Sequence, residues 1–231
     1  MSGPLLHVDE IGGGYGDIRI IEEMSLGVDR GEVLCIAGRN GVGKTTLLKL
    51  ITGFLPLMTG AIHLDGQRID PLPAHGRSRV GMTYAPQENV VFPTLSVRDN
   101  LNLHSGRDAL ARYGELFEAF PRIGERLDQT AGTLSGGERK ILSFCRALGE
   151  GNTLTLLDEP TEGVQPENID RMTRIIRDRA AAGAAFIIVE QNLALIEAAA
   201  NRVMVLDQGR CTLDTGNHPG IRDEIASYLE L

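Results

Sequence analysis

An α/β fold with a mainly parallel sheet is predicted for this 231-residue chain by three features of its sequence. A short apolar run, Val33-Leu34-Cys35-Ile36-Ala37, breaks at Gly38 and resumes at Lys44 as a helical pattern. Two further apolar runs, 153–157 and 184–189, each end abruptly in polar residues, Asp158-Glu159 and Glu190-Gln191. Segments with helical spacing separate the runs, and strands alternating with helices imply a parallel sheet with helices on both faces.

In chain order, residues 5–11 and 18–28 alternate apolar and polar as antiparallel strands do, with a flexible turn, Gly12-Gly13-Gly14-Tyr15-Gly16, between them. The buried strand 33–37 and the helix from Lys44 follow. Residues 60–65 and 80–85 read as strands, and the intervening segment, with Pro71, Pro73 and Gly76, reads as surface loop. Pro86-Gln87 opens a loop that runs to Pro93. From Ser96 to Glu150 the pattern is helical, broken at Gly106, Pro121 and Gly132, and this block reads as a helical subdomain inserted into the α/β core. Pro166 suits the first position of a helix to about Ala182. Residues 202–207 and 210–215 pair as a hairpin around Gln208-Gly209, and 220–229 closes the chain as an amphipathic helix.

Composition narrows the classes of function. Hydrophobic residues make up 42% and charged residues 23%, ordinary for a soluble globular protein. The formal charge of −8 argues against nucleic acid as a partner, because neutralising phosphates requires a surplus of Lys and Arg. The three cysteines, Cys35, Cys145 and Cys211, form no Cys-x-x-Cys and read as small buried residues in a reducing, cytoplasmic compartment. The histidines show no ligand spacing, so no metal site of protein ligands alone is expected. The first residues lack the basic segment and apolar core of a signal peptide. The longest apolar stretch, 180–189, is too short to span a bilayer, so any membrane role is expected to be peripheral.

The chemistry begins at Gly38-Arg39-Asn40-Gly41-Val42-Gly43-Lys44-Thr45-Thr46, which has the Gly-x4-Gly-Lys-Thr spacing of a phosphate loop. Its glycines let consecutive N–H groups turn around an anion, and the following helix adds its positive end. Lys44 is one of only three lysines among 23 basic residues, and it stands where a compact point charge is wanted rather than a planar fork. The Thr45 hydroxyl suits Mg²⁺. These features point to a nucleoside triphosphate. Asp158 and Glu159, at a strand end, then acquire roles: Asp158 holds Mg²⁺ through water, and Glu159 orients or deprotonates an attacking water. Tyr15, shortly before the loop, is placed to stack on a base. A second anion-binding device lies at Leu134-Ser135-Gly136-Gly137-Glu138, where Ser135 caps a helix start whose glycines bare the backbone amides.

The order of phosphate loop, Gln87 loop, Leu-Ser-Gly-Gly-Glu and Leu-Leu-Asp-Glu-Pro resembles the ATP-binding subunits of ABC transporters over essentially the whole chain. The resemblance implies a single ABC domain over 1–231. Its nucleotide-binding core with an antiparallel β subdomain would comprise 1–86 and 151–231, and its helical subdomain 87–150. It implies that Tyr15 stacks on adenine, that 38–46 cradle the phosphates of ATP, and that Thr45, Gln87 and Asp158 attend Mg²⁺. It makes Glu159 the catalytic base, with Lys44 and Gln191 at the γ-phosphate. Leu134, Ser135, Gly136, Gly137 and Glu138 would serve the ATP of a second ATP-binding subunit, identical or not, in a head-to-tail dimer. Transmembrane permease subunits would grip the helical block and the Gln87 loop from the membrane, placing the chain on its cytoplasmic face.

Three departures narrow the branch: Glu138 where Gln is usual, Thr161-Glu162-Gly163-Val164-Gln165-Pro166 after the catalytic pair, and Gln191 where most relatives carry a switch histidine. Gln can hydrogen-bond a phosphate but cannot become cationic. Gly-Arg-Asn-Gly-Val-Gly-Lys-Thr-Thr-Leu-Leu, Glu-Gly-Val-Gln-Pro and Val-Glu-Gln together resemble the ATPases of importers for branched-chain amino acids, urea and short amides, which also work with a solute-binding protein. Ala-Pro-Gln-Glu-Asn, Leu-Ser-Val-Arg-Asp-Asn-Leu and Ser-Gly-Gly-Glu-Arg are similar instead to the lipopolysaccharide-export ATPase. Soluble ABC ATPases acting on ribosomes or DNA fit less well: their second cassette or coiled-coil inserts have no counterpart in the sequence.

Overall fold

The computed structural model describes residues 3–88, 90–103 and 109–229. The first half of the chain forms β1 (Leu6–Tyr15), β2 (Ile18–Val28), β3 (Val33–Ala37), α1 (Lys44–Thr52), β4 (Thr59–Leu64), β5 (Gln67–Arg68), α2 (Ala74–Arg79) and β6 (Met82–Ala85). The helical block supplies α3 (Val97–Asn102), α4 (Gly114–Ala119), α5 (Pro121–Glu125) and α6 (Gly136–Gly149). The chain then runs β7 (Leu154–Asp158), α7 (Pro166–Ala181), β8 (Ala185–Val189), α8 (Leu193–Ala199), β9 (Arg202–Asp207), β10 (Arg210–Gly216) and α9 (Ile221–Leu229).

Two sheets result. A six-stranded sheet has the order β10-β9-β3-β8-β7-β6 and is parallel except for β10, which pairs antiparallel with β9. A four-stranded antiparallel sheet has the order β2-β1-β4-β5. The parallel strands are buried on both faces, which is why they read as continuous apolar runs. Val33 and Cys35 of β3 face one core with α6, α7 and α8, whereas Leu34 and Ile36 face a second core with α1 and the antiparallel sheet. The second face is therefore covered by α1 and a sheet, not by helices alone as the alternating pattern suggests.

Three local expectations are corrected. Gly12, Gly13 and Gly14 are not a turn: β1 continues through them, with shifts of register against β2, and turns only after Tyr15. The reason is close approach, since a Cβ on Gly14 would lie 2.0 Å from the Ile18 carbonyl oxygen of the neighbouring strand. The segment with Pro71, Pro73 and Gly76 is not all loop but carries α2, whose Arg77 is 2% exposed. Cys211 is exposed on β10, unlike the buried Cys35 and Cys145, and all three thiols are free. In the helical block, Pro121 opens α5 as its first residue, and Gly132 lies in a 3₁₀ turn, Ala131–Thr133. The break expected at Gly106 lies outside the described residues.

Candidate functional site

From β3 the chain passes to β6 at one edge of the sheet, whereas from β6 it returns through β7 and β8 and across β3 to β9, so the connections leaving β3 and its neighbour β8 run in opposite directions. Ligands of open α/β sheets bind at the carboxyl ends of strands near such a point. Here the carboxyl ends of β3, β7 and β8 open onto a cleft of about 850 Å³. Asn40, Gly41, Gly43, Lys44, Thr45 and Thr46 line it, as do Gln87, Glu159, Glu190 and Gln191. Gly43 has φ 110°, a left-handed conformation that delivers the loop directly into α1.

Lys44 is 5% exposed, and its ammonium donates to the carbonyls of Gly38 (2.7 Å) and Arg39 (2.8 Å). Burial lowers its pKa, and the carboxylates of Glu159, Asp158 and Glu190 act in the opposite direction. The Thr45 hydroxyl donates to Asp158 Oδ1 at 3.2 Å, and the Tyr84 hydroxyl donates to Oδ2 at 3.1 Å. Asp158 is 1% exposed. The Thr45–Asp158 oxygen pair suits a hard cation such as Mg²⁺.

Burial raises the Asp158 carboxyl above its ordinary pKa, against the hydrogen bonds from Thr45 and Tyr84. The folded chain then holds a proton there more tightly than the unfolded chain. The ionised group therefore costs stability at neutral pH, and stability rises as pH falls through the raised value. Asp158→Asn is accordingly expected to raise the melting temperature of the nucleotide-free protein by a few degrees, on the order of 1 kcal/mol. Differential scanning fluorimetry checks this; a lower melting temperature would mean that the two hydrogen bonds outweigh the burial.

Glu159 is held from every side. Its φ of 47° puts a non-glycine residue in the left-handed region, a conformation that costs about 1–2 kcal/mol. Its N–H donates to the Val189 carbonyl at 2.9 Å, and its own carbonyl accepts from Lys140 Nζ at 2.9 Å. The carboxylate accepts from Gln87 Nε2 at 2.7 Å and from Gln191 Nε2 at 2.8 Å. Gln191 Nε2 also donates to Asn40 Oδ1 at 2.7 Å, which joins the phosphate loop to the end of β8. Gln87 is turned onto Glu159, with its Nε2 also 3.4 Å from Glu162, rather than onto the Thr45–Asp158 pair.

Other residues singled out from the sequence lie elsewhere. Tyr15, 44% exposed, does not line the cleft; Lys49 Nζ donates to its hydroxyl at 3.2 Å and lies over its ring. Gly38, Arg39 and Val42 shape the loop without lining the cleft. Ser135, Gly136, Gly137 and Glu138 line a separate cleft of about 1090 Å³, which shares Gln87 and Glu162 with the first. Leu134 is 3% exposed and packs in the core. Ser135 and Glu138 form a capping box on α6: Glu138 N–H donates to Ser135 Oγ (3.2 Å) and Ser135 N–H donates to Glu138 Oε2 (2.9 Å). That backbone bond, with Arg126 at 2.9 Å, holds the Glu138 carboxyl below its usual range. Both oxygens of the carboxylate are thus used as acceptors, which accounts physically for Glu in place of Gln.

Sequence reading missed three groups of the site: Tyr84 on Asp158, Lys140 on Glu159, and Glu190 between Thr161 and Gln191. Lys140 carried a usable signal, because lysine is rare in this arginine-rich chain. Two of the three lysines end at the site, Lys44 on the Gly38 and Arg39 carbonyls and Lys140 on the Gln87 and Glu159 carbonyls, whereas Lys49 ends outside the cleft on Tyr15.

Fold and cleft together define a phosphate-loop nucleotide-binding protein. The sequence pattern of the ABC transporter family matches residues 21–162. The high-affinity branched-chain amino acid transport ATP-binding protein BraG of Pseudomonas aeruginosa is 34% identical over 95% of this chain and 98% of its own. The lipopolysaccharide export system ATP-binding protein LptB of Escherichia coli is 37% identical over 84% of this chain and 83% of its own. A solved ATP-binding subunit of an ABC transporter superposes with a TM-score of 0.86 at 26% identity, over 98% of this chain and 100% of that one. The chain belongs to the ABC transporter ATP-binding family, a family of nucleotide-binding ATPases. No helix among the described residues is long and apolar enough to cross a membrane.

Proposed function

We propose that this chain is the ATP-hydrolysing subunit of an importer for branched-chain amino acids, urea or related small polar solutes. It would work on the cytoplasmic face of the membrane with two permeases, a second ATP-binding subunit and, indirectly, a solute-binding protein. The observation that carries this reading is the similarity to BraG across nearly the full length of both chains. Gln191, bonded to both Glu159 and Asn40, belongs to the Val-Glu-Gln stretch in which the sequence resembles that branch. The similarity to LptB supports a second reading, an export ATPase.

In the proposed mechanism, Lys44 exchanges the Gly38 and Arg39 carbonyls for the outer phosphates, cradled by 38–46 and the start of α1. Tyr15 stacks on the adenine. Thr45 and Asp158, with Gln87, would hold Mg²⁺. When bound, Mg²⁺ supplies positive charge against the phosphate oxygens. Glu159 orients the attacking water and takes its proton, and Gln191 donates to the γ-phosphate. Ser135, Gly136 and Gly137 meet the ATP of the second subunit, and closing and opening of that dimer drives the transporter. The core is read as 1–86 with 151–231, and the helical subdomain as 87–150, gripped by the permeases beside the Gln87 loop.

The test is capture of the tagged chain from its native membrane in mild detergent, with partners identified by mass spectrometry. Two distinct permeases and a second ATPase are expected. Export-type membrane subunits with one ATPase species would overturn the direction of transport, and ribosomal or DNA partners without membrane proteins would overturn transport itself.

A further inference from the structure

Glu190 follows β8 and is 3% exposed, yet none of the proposed catalytic steps uses it. Four donors converge on its carboxylate. Oε1 accepts from the Thr161 N–H at 3.1 Å and from the Thr161 hydroxyl in a short contact. Oε2 accepts from the N–H groups of Gln191 at 2.7 Å and Asn192 at 2.9 Å. Its own N–H donates to the Ile36 carbonyl of β3 at 3.2 Å. Thr161 lies two residues beyond Glu159, in the turn after β7, and Gln191 carries the amide that bonds Glu159. One side chain thus ties the turn after β7 to the turn after β8, anchored on the strand that feeds the phosphate loop. Only an acceptor-only group satisfies this arrangement, because a carboxamide would set its NH₂ against two N–H donors or against the Thr161 pair.

We infer that Glu190 is a positioning residue: it fixes the Gln191 peptide and the turn 159–161, and so sets where the carboxylate of Glu159 and the amide of Gln191 stand over the nucleotide. This rests on the reading of Glu159 as base and Gln191 as phosphate donor. Glu190 also lines the nucleotide cleft, where its negative charge opposes a triphosphate. Its two effects therefore separate: it supports turnover while weakening ATP binding. A purely structural residue would not divide them in this way.

The experiment compares the full chain with Glu190→Gln, Glu159→Gln, Gln191→Ala and the Glu190→Gln/Gln191→Ala pair, measuring ATP turnover and the affinity for ATP. For Glu190→Gln the expected result is a loss in kcat of roughly tenfold or more, since small misplacements of reacting groups cost up to about 10²-fold. Its ATP affinity should equal or exceed that of the parent. The losses from Glu190→Gln and Gln191→Ala should fail to multiply, because one acts through the other. An unchanged kcat for Glu190→Gln beside a large loss for Glu159→Gln overturns the positioning role and leaves the base assignment standing. An unchanged kcat for Glu159→Gln overturns the base assignment itself. If Glu190→Gln does not fold, Thr161→Val decides: a kcat loss of about threefold at constant ATP affinity, restored by Thr161→Ser, supports the inference. Parent kcat in Thr161→Val then overturns it.

Discussion

Glu159→Gln is expected to slow ATP turnover by about 10²–10³-fold while ATP still binds. The substitution keeps the length and shape of the side chain, and the φ of 47° at this position is set by the backbone bonds to Val189 and Lys140, which remain. What it removes is the capacity to take a proton. It also turns an acceptor that receives Gln87 at 2.7 Å and Gln191 at 2.8 Å into a group with one NH₂, so one of those bonds is lost. Single-turnover cleavage of bound ATP, read beside equilibrium nucleotide binding, gives both quantities. Equal cleavage rates in parent and variant would sink the assignment of Glu159 as base.

Arg77→Met is expected to cost about 3–5 kcal/mol of stability and to lower the melting temperature by about 10 °C. Arg77 has 2% of its surface exposed and donates four hydrogen bonds to carbonyls: Nη1 to Leu50 (2.8 Å) and Ile51 (2.6 Å), Nε to Leu72 (3.0 Å) and Nη2 to Asp70 (3.0 Å). Leu50 and Ile51 lie in the last turn of α1, where a cation also meets the negative end of the helix. Met fills much of the volume but leaves the carbonyls without these donors, each bond from a charged donor being worth about 1.5–3 kcal/mol. Because α1 begins at Lys44, the loss should reach the phosphate loop and raise KM for ATP. Arg77→Lys keeps the charge but not the planar fork, so it should recover less than half of the stability. A fall in melting temperature of under ~3 °C for Arg77→Met would show that water replaces the guanidinium.

These two residues mark what was legible in the sequence. Glu159 declared itself because two acids ended an apolar strand, and strands β3, β7 and β8 declared themselves because burial on both faces leaves runs that are almost wholly apolar, with Thr155 the polar residue inside β7. Arg77 did not, since the segment around it reads by composition as a proline-rich loop and its partners on α1 are 26 and 27 positions away. The same holds for the ties around Glu159: Gln87 reaches it from 72 positions earlier and Gln191 from 32 positions later. Such bonds depend on tertiary placement, to which local periodicity is blind. The glycines of β1 misled for the opposite reason, because absence of a side chain reads as flexibility, whereas in β1 it marks a strand pressed against its neighbours.

The distribution of the three thiols has a practical consequence. Cys35 and Cys145 are sealed in the core, and burial pushes both thiols up, so neither offers a thiolate to a reagent. Cys211 is exposed on β10, the outermost strand of the six-stranded sheet and two strands from β3. Its thiol donates to the Leu213 carbonyl and is raised, by partial burial first, so alkylation runs faster in mildly alkaline buffer. The native chain therefore accepts a single fluorophore, at a defined edge and away from the nucleotide cleft, without any engineered cysteine. A dye there, paired with a second dye on the partner ATP-binding subunit, would report the separation of the two as nucleotide is added and consumed.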